Sequence, residues 1–174
     1  LANVYTSYSR KPSELPSRDS LMNAVKLTAA NLNRLTFAPT LADAYSGPVL
    51  FEDQAAAEIV AQMFAPNLVA QRQPLTERGM QESERYSAFQ NKIGGRVLPE
   101  FLSITATPNK NNFGTTSLIG SYTIDDDGIA AQQVNLVENG YLKTLLSSRI
   151  PTKRIKQSNG HQRGGAAMLS TLEL

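Results

Sequence analysis

Three groups of side chains in this sequence have types and spacings suited to chemistry. The first is a set of carboxylates, Glu52, Asp53 and Glu58, at the start of a segment with helical periodicity. Paired carboxylates act as general acid and base when burial or a like-charged neighbour shifts a pKa. Acidic residues at a helix start also complement the helix dipole. The sequence favours this second interpretation, because nothing in it indicates burial.

The second group is the run Asp125-Asp126-Asp127-Gly128. Carboxylate oxygens are the ligands that calcium and magnesium prefer. The calcium-loop pattern requires alternating ligands and a distal glutamate, and this run has neither. A turn between two strands is therefore the favoured interpretation.

The third group lies in the basic segment 149–165, which has no acidic residue. Its basic side chains are Arg149, Lys153, Arg154, Lys156, His161 and Arg163. His161 is the sole histidine, and no G-x-S-x-G motif supplies a nucleophile beside it. No second histidine and no cysteine complete a zinc-ligand spacing. No aromatic residue is interleaved with the cations, so direct nucleic-acid binding is not expected. The segment is predicted to be a glycine-rich loop that is solvated or binds a peptide backbone or carboxylate.

The composition fits one folded domain. The chain has 174 residues, 41% hydrophobic residues, a formal net charge of +2 and no cysteine. Disulfides and thiol catalysis are excluded, and the small charge gives no strong steering field. No stretch approaches the roughly 20 apolar residues that a membrane helix needs, so no membrane association is expected. Both ends read as boundaries within a longer protein, and we expect a missing N-terminal region.

Two helices must position the first group. Ser17 is predicted to cap a helix that runs to about Thr36, with an apolar stripe at spacings of three and four. A second helix is predicted from Glu52 to about Ala65, ended by Pro66. Another short helix is predicted within "ERGMQESERYSAFQNKIGG", residues 77–95, closed by its final glycines.

The other two groups follow β-rich sequence. Four strand-like runs are "RVLPEFLSITATP", "TSLIGSYTI", "IAAQQVNLV" and "YLKTLLSSR". Asn139-Gly140 between the last two is a strong hairpin signal. Helices followed by strands predict an α+β fold, with helices packed on a mainly antiparallel sheet or barrel-like meander.

We predict one domain over residues 1–174. Its parts are a lead-in at 1–17, a helical part at 18–66, a β meander at 97–148, and a basic loop with a truncated end at 149–174.

Three stretches in order resemble the TldD/PmbA family, whose members are also described as modulators of DNA gyrase and as peptidases of peptide maturation. They are "YSGPVLFEDQAAAEIVAQMF", "GSYTIDDDGIAAQQVNLVENGYLKTLLSSR" and "SNGHQRGG". The family patterns SY-x-x-DDEG, VLIENG-x-L and S-x-G match Ser121–Gly128, Val134–Leu142 and Ser158–Gly160. The resemblance covers about residue 18 to the C-terminus, as the C-terminal region of a longer protein.

The resemblance implies a role for the second predicted helix, which begins at Glu52. In catalytic members of the family, the sequence of this helix is similar to H-E-x-x-x-H. Its two histidines bind zinc, its glutamate is the base, and a later cysteine is a further zinc ligand. These positions fall on Glu52, Asp53 and Ala57, so the motif is degenerate. The resemblance therefore implies a non-catalytic subunit of the PmbA/TldE type with no catalytic residue, metal or cofactor of its own.

The implied partners are a TldD-like chain that carries zinc, or a homo-oligomer, together with an extended peptide substrate. Arg149, Lys153, Arg154 and His161 are the residues expected to line the substrate path. The family-level expectation is a cytoplasmic location, with export left open.

Two alternatives stay open. One is an independent metallopeptidase with Glu52, Asp53 and His161 as atypical ligands. The other is a regulator that binds proteins and has no enzymatic activity.

Overall fold

The computed structural model describes residues 3–40, 42–70, 72 and 88–174. The chain divides into two compact units. The first unit contains Leu1–Leu50 and Asn112–Ile119, and the second contains Phe51–Asn111 and Gly120–Leu174. The assignment of 1–174 to a single domain stays a prediction.

The first unit contains helix α1, Arg18–Thr36, as the sequence predicted. Ser17 caps it, since its side chain accepts a hydrogen bond from the Ser20 backbone N–H at 3.2 Å. The helix ends where the Phe37 N–H bonds back to the last turn, ahead of Pro39. None of its residues is buried.

A hairpin and a short 3₁₀ helix complete this unit. The 3₁₀ helix spans Pro12–Glu14, and the hairpin pairs Asn112–Phe113 with Thr116–Ser117. In chain order these two strands are β2 and β3. The Ser117 hydroxyl and a Glu14 carboxylate oxygen lie 3.3 Å apart and join the two elements.

The second unit begins with three consecutive helical segments: α2 at Asp53–Ile59, a π-helical turn at Val60–Phe64, and a 3₁₀ turn at Ala65–Leu68. A helix was predicted here, but its α-helical part ends earlier than expected. Helical turns also continue past Pro66, because a proline fits the first turn of a helix, where its missing N–H has no partner to lose. Leu68, at the end of the 3₁₀ turn, is completely buried.

A four-stranded antiparallel sheet forms the centre of this unit. Its order is β5-β4-β1-β8, where β1 is Ile104–Ala106, β4 is Val134–Glu138, β5 is Tyr141–Leu142 and β8 is Leu172–Glu173. One face of β1 and β4 is apolar and buried, and the remaining core comes from the segments beside them. The core residues are Leu68, Val69, Ala70, Ile104, Ala106, Val134, Leu136, Val137, Leu142, Leu145, Leu146 and Ala167. The α+β prediction is confirmed.

The predicted hairpin at Asn139-Gly140 is present. It joins β4 to β5, and both turn residues have positive φ, 49° for Asn139 and 81° for Gly140. Two successive positive φ values define the turn type whose twist matches that of paired strands.

The strands are much shorter than the sequence predicted. Only Thr116–Ser117 of "TSLIGSYTI" and only Tyr141–Leu142 of "YLKTLLSSR" are strand. In the second run, the Asn159 side chain accepts a hydrogen bond from the Ser147 backbone N–H. A side chain therefore replaces a strand partner at this point.

Two elements were missed. Gln162–Arg163 and Ala166–Ala167 form a second hairpin, β6 and β7, across the Gly164-Gly165 turn. A Gly-Gly pair is itself a hairpin signal, and the expectation of a plain loop overlooked it. The edge strand β8 was also missed.

The short helix predicted within 77–95 lies largely outside the described residues, and residues 88–95 form turns. None of the described helices has the length and apolar character needed to cross a membrane.

Replacing Gly140 with alanine tests the β4–β5 turn. An added Cβ would clash with the Leu98 carbonyl oxygen and lie 2.9 Å from that of Pro99, and φ is positive as well. We expect Gly140→Ala to lower the free energy of unfolding by at least about 2 kcal/mol in urea titrations.

Gly128→Ala is the matched control. Its φ is 77°, but no atom of the described residues other than its chain neighbours lies within 4 Å of the added Cβ. Only the cost of the left-handed backbone, about 1 kcal/mol, is expected there. Equal losses in the two variants would contradict the close approach at Gly140.

Candidate functional site

The degenerate motif positions lie at the start of α2. Glu52 is the N-cap residue, with extended dihedrals of φ −122° and ψ 157°. Asp53 follows with φ 49°, an uncommon conformation for a residue that is not glycine. Ala57 lies one turn further along, and all three residues are exposed.

A second rare backbone feature follows this helix. The turn at Val60–Phe64 is π-helical, and such turns occur disproportionately at functional sites. The helix that carries the motif positions is thus bounded by a left-handed residue at one end and a π turn at the other. The backbone therefore departs from a regular α-helix at both ends of this segment.

The side chains of this helix do not fit a zinc ion. Alanine has no donor atom at position 57, and the chain has no cysteine to add a thiolate. Within the described residues, no group of three His, Cys, Asp or Glu side chains is placed to hold a metal. Glu52, Asp53 and His161 are accordingly not brought together.

The Asp125–Gly128 run forms the predicted turn and does more than reverse the chain. Asp125 is 5% exposed, and its Oδ1 accepts hydrogen bonds from the backbone N–H groups of Asp127 at 3.0 Å and Ile129 at 2.8 Å. Its Oδ2 accepts the Gln162 N–H at 3.1 Å. Three backbone donors thereby satisfy a buried carboxylate.

The next two aspartates bind further segments in the same way. Asp126 Oδ2 accepts the Gly164 N–H at 2.7 Å, and Asp127 Oδ2 accepts the Arg149 N–H at 3.2 Å. Each of the three carboxylates therefore holds a backbone N–H of the basic segment. We call Asp125–Gly128 the aspartate turn.

Tyr122 joins the aspartate turn to the same segment. Its hydroxyl donates to the Gly160 carbonyl oxygen at 3.1 Å, and the Arg163 guanidinium lies 4.5 Å from its ring centroid. Burial raises the pKa of Tyr122 to about 12, against the opposing effect of Arg163. The phenol is therefore a neutral donor at physiological pH.

His161 lies beneath these contacts and is completely buried. Its Nδ1 is 2.9 Å from the Asn159 carbonyl oxygen and 3.0 Å from Asn159 Oδ1. Because both neighbours are acceptors, Nδ1 carries the proton, and Nε2 presents a lone pair. Among the residues that the structure describes, none offers Nε2 a hydrogen-bond partner. Burial lowers the pKa of His161, partly offset by the Asn159 backbone and the Asp125 charge.

The four residues predicted to line a substrate path fall into two environments. Arg149, Lys153 and Arg154 are exposed on one loop, whereas His161 is buried. Their role in substrate binding stays a prediction.

Sequence reasoning missed a polar groove beside β8. It has a volume of about 590 Å³ and includes Lys110 and Glu173, whose charged groups are 2.8 Å apart. The Thr107 hydroxyl donates to the same carboxylate at 2.7 Å, and these bonds lower the pKa of Glu173. No sequence signal links residues this far apart in the chain.

Comparison with known proteins places the chain in a family. Residues 44–172 match the family model of the PmbA/TldA metallopeptidase C-terminal domain. The chain belongs to the TldD/PmbA family. The resemblance given by its motifs is confirmed, although the family match begins at residue 44 and not at about 18.

Individual relatives match parts of this TldD/PmbA chain. It is 35% identical over 63 residues to a metalloprotease of Methanocaldococcus jannaschii. It is 36% identical over 63 residues to one of Methanothermobacter thermautotrophicus. Each match spans 36% of this chain and 13% of the relative.

A solved structure shares the fold. The crystal structure of a Thermotoga maritima protein, named as a candidate modulator of a DNA gyrase, has a TM-score of 0.68 at 24% identity. The alignment covers 95% of this chain and 34% of that protein. This chain therefore spans about a third of its structural relative.

Asp125→Asn tests the aspartate turn. The amide keeps one oxygen but places an N–H group opposite the Gln162 N–H, so a buried donor loses its acceptor. We expect the free energy of unfolding to fall by about 2–3 kcal/mol in urea. Asp126→Asn is the control, with a loss below about 1 kcal/mol, because that side chain is exposed. A larger loss in the control would refute the central role of Asp125.

His161 predicts a dependence of stability on pH. Its pKa is lower in the folded state, so the unfolded chain binds the proton more tightly. Stability is complete above the unfolded pKa of about 6.5 and falls as the pH drops below it. As the pH is lowered from about 7 to about 5, the urea midpoint of the wild type should therefore fall. The midpoint of His161→Gln should fall less steeply over the same range. Identical slopes would show that the imidazole does not titrate in this way.

Proposed function

We propose that this chain is the C-terminal domain of a non-catalytic subunit in a TldD/PmbA-type metallopeptidase complex. The subunit pairs with a TldD-like chain that carries the zinc ion, in the cytoplasm, and helps to hold an extended peptide for processing. The observation that supports this most directly is Ala57 on α2, in a chain that matches a metallopeptidase family model. The resemblance to catalytic members places a zinc ligand at that position. A chain without the ligands acts by positioning a substrate and not by activating water.

The backbone of α2 supports the same proposal. Glu52 precedes the helix with extended dihedrals, and Asp53 at the first helical position has a left-handed φ of 49°. Such a conformation costs free energy and is maintained only where the surrounding structure imposes it, which fits a role in shaping the complex. In this account α2 forms part of the wall of the complex.

Strand β8 offers a route for an extended peptide. Among the described strands it is the last on its side of the sheet, and it pairs with β1 along one edge. The register alternates, so the Leu172 N–H and C=O point away from β1. An added strand would use these groups, with backbone hydrogen bonds giving affinity independent of sequence.

The groove beside β8 would receive the side chains of such a peptide. Its lining is mostly polar, with Thr105 and Thr107 on β1 and Glu173 on β8. At the opposite side of the sheet, β5 is already occupied, because Leu142 exchanges backbone hydrogen bonds with the segment at Gly94-Gly95. The β8 edge is therefore the favoured site for strand addition.

Native mass spectrometry of the tagged protein, purified from its own cells, tests the proposal. We expect a one-to-one complex with a related chain, with the zinc carried by that partner. A homo-oligomer with one zinc ion per chain would contradict the proposal and favour the independent metallopeptidase.

A substitution at residue 57 tests whether this position of α2 contributes to assembly with the partner. The Ala57→His variant should assemble with the same partner, because residue 57 is exposed and the change adds no buried charge. Loss of assembly in this variant would place Ala57 at the subunit contact.

A further inference from the structure

A short loop in the second unit displays a concentration of positive charge. We call residues 148–156 the basic loop, and its cations are Arg149, Lys153, Arg154 and Lys156. All four side chains are exposed. Within the part of the chain that the structure describes, none of them forms an ion pair or a side-chain hydrogen bond. An incoming anion would therefore meet cations that have no internal partner to give up.

The backbone of the basic loop is held in place at both ends. Asp127 accepts the Arg149 N–H, and the buried Thr152 accepts the Ile155 N–H at 3.1 Å through its hydroxyl. The Thr152 N–H in turn donates to the Ile155 carbonyl oxygen at 2.8 Å. Ile155 packs against the core. Lys153 and Arg154 thus occupy the tip of a turn whose two flanking residues are fixed.

This order bears on binding. Ordering a mobile loop opposes association, and a loop already held in one conformation avoids that cost. Asp127 contacts the loop through the Arg149 backbone N–H, and Asp126 pairs with Arg163, which lies outside the loop. The loop is consequently preorganised, and its four cations are not engaged in ion pairs with the described residues.

We propose that the basic loop docks an acidic stretch of polypeptide, and that it selects peptides carrying such a stretch. This inference rests on the proposed function, in which the chain holds an extended peptide. The cations suit carboxylates, since both Arg and Lys donate charge-assisted hydrogen bonds to them. The segment 149–165 has no aromatic side chain on which a nucleobase would stack, so a polypeptide is favoured over a single-stranded nucleic acid.

The test uses fluorescence anisotropy with two labelled peptides and the full protein. One peptide alternates Glu with Val and Ser, and its twin has Gln in place of every Glu. We expect the acidic peptide to bind roughly tenfold more tightly than the twin at low salt, and the difference to shrink as salt is added.

A double variant and a matched control locate the effect. The double variant Lys153→Glu/Arg154→Glu should bind the acidic peptide about tenfold or more weakly than the wild type does. Its affinity for the Gln twin should be unchanged. The control Arg18→Glu/Lys26→Glu makes the same charge change at exposed positions of α1 and should leave both affinities unchanged. Circular dichroism and urea midpoints establish that each variant is folded.

The outcomes separate this inference from the proposed function. Equal binding of both peptides by the wild type would overturn the inference and leave strand addition standing. Failure of both peptides to bind would overturn both. Equal losses in the two double variants would overturn the inference, by showing an effect of total charge. Tighter, salt-sensitive binding of a single-stranded oligonucleotide that is lost in Lys153→Glu/Arg154→Glu would also overturn it.

Discussion

Three successive carboxylates, each of which accepts a backbone N–H from the basic segment, hold the second half of this molecule together. Asp125, Asp126 and Asp127 reach Gln162, Gly164 and Arg149, which lie 37, 38 and 22 residues further along the chain. Asp125 makes the buried contact, and its exclusion from water makes the loss of one acceptor costly. The hairpin β6–β7, the basic loop and the environment of His161 all depend on these bonds.

Side chains provide these hydrogen bonds to the backbone because the strands are short. The six described strands other than the central pair β1 and β4 consist of two residues each and contribute few ladder hydrogen bonds. Buried backbone groups must still be paired. Asn159 is the second example, since its amide bonds the Ser147 N–H and the Leu145 carbonyl oxygen. Loops fixed in this way can present side chains at defined positions, as the basic loop does.

Local signals in the sequence predicted local structure well. The Ser17 cap, the Asn139-Gly140 turn and the aspartate turn each depend on neighbouring residues, and each is present. The role of each aspartate was not predictable, because its partner is distant in sequence. The Lys110–Glu173 pair was not predictable either, because these two residues are also distant in sequence. The burial of His161 was hidden too, because it follows from tertiary contacts with Tyr122 and Asn159. Strand lengths were overestimated where side chains replace strand partners.

Family membership and local chemistry lead to different statements about this chain. The family is one of metallopeptidases, whereas the helix at the motif positions carries Glu52, Asp53 and Ala57. The most direct test of the central claim is calorimetric titration of zinc into the purified chain, beside its Glu52→Ala and His161→Ala variants. The account predicts no stoichiometric binding by the wild type and no difference among the three proteins. Tight binding of one zinc ion per chain that either substitution abolishes would contradict it.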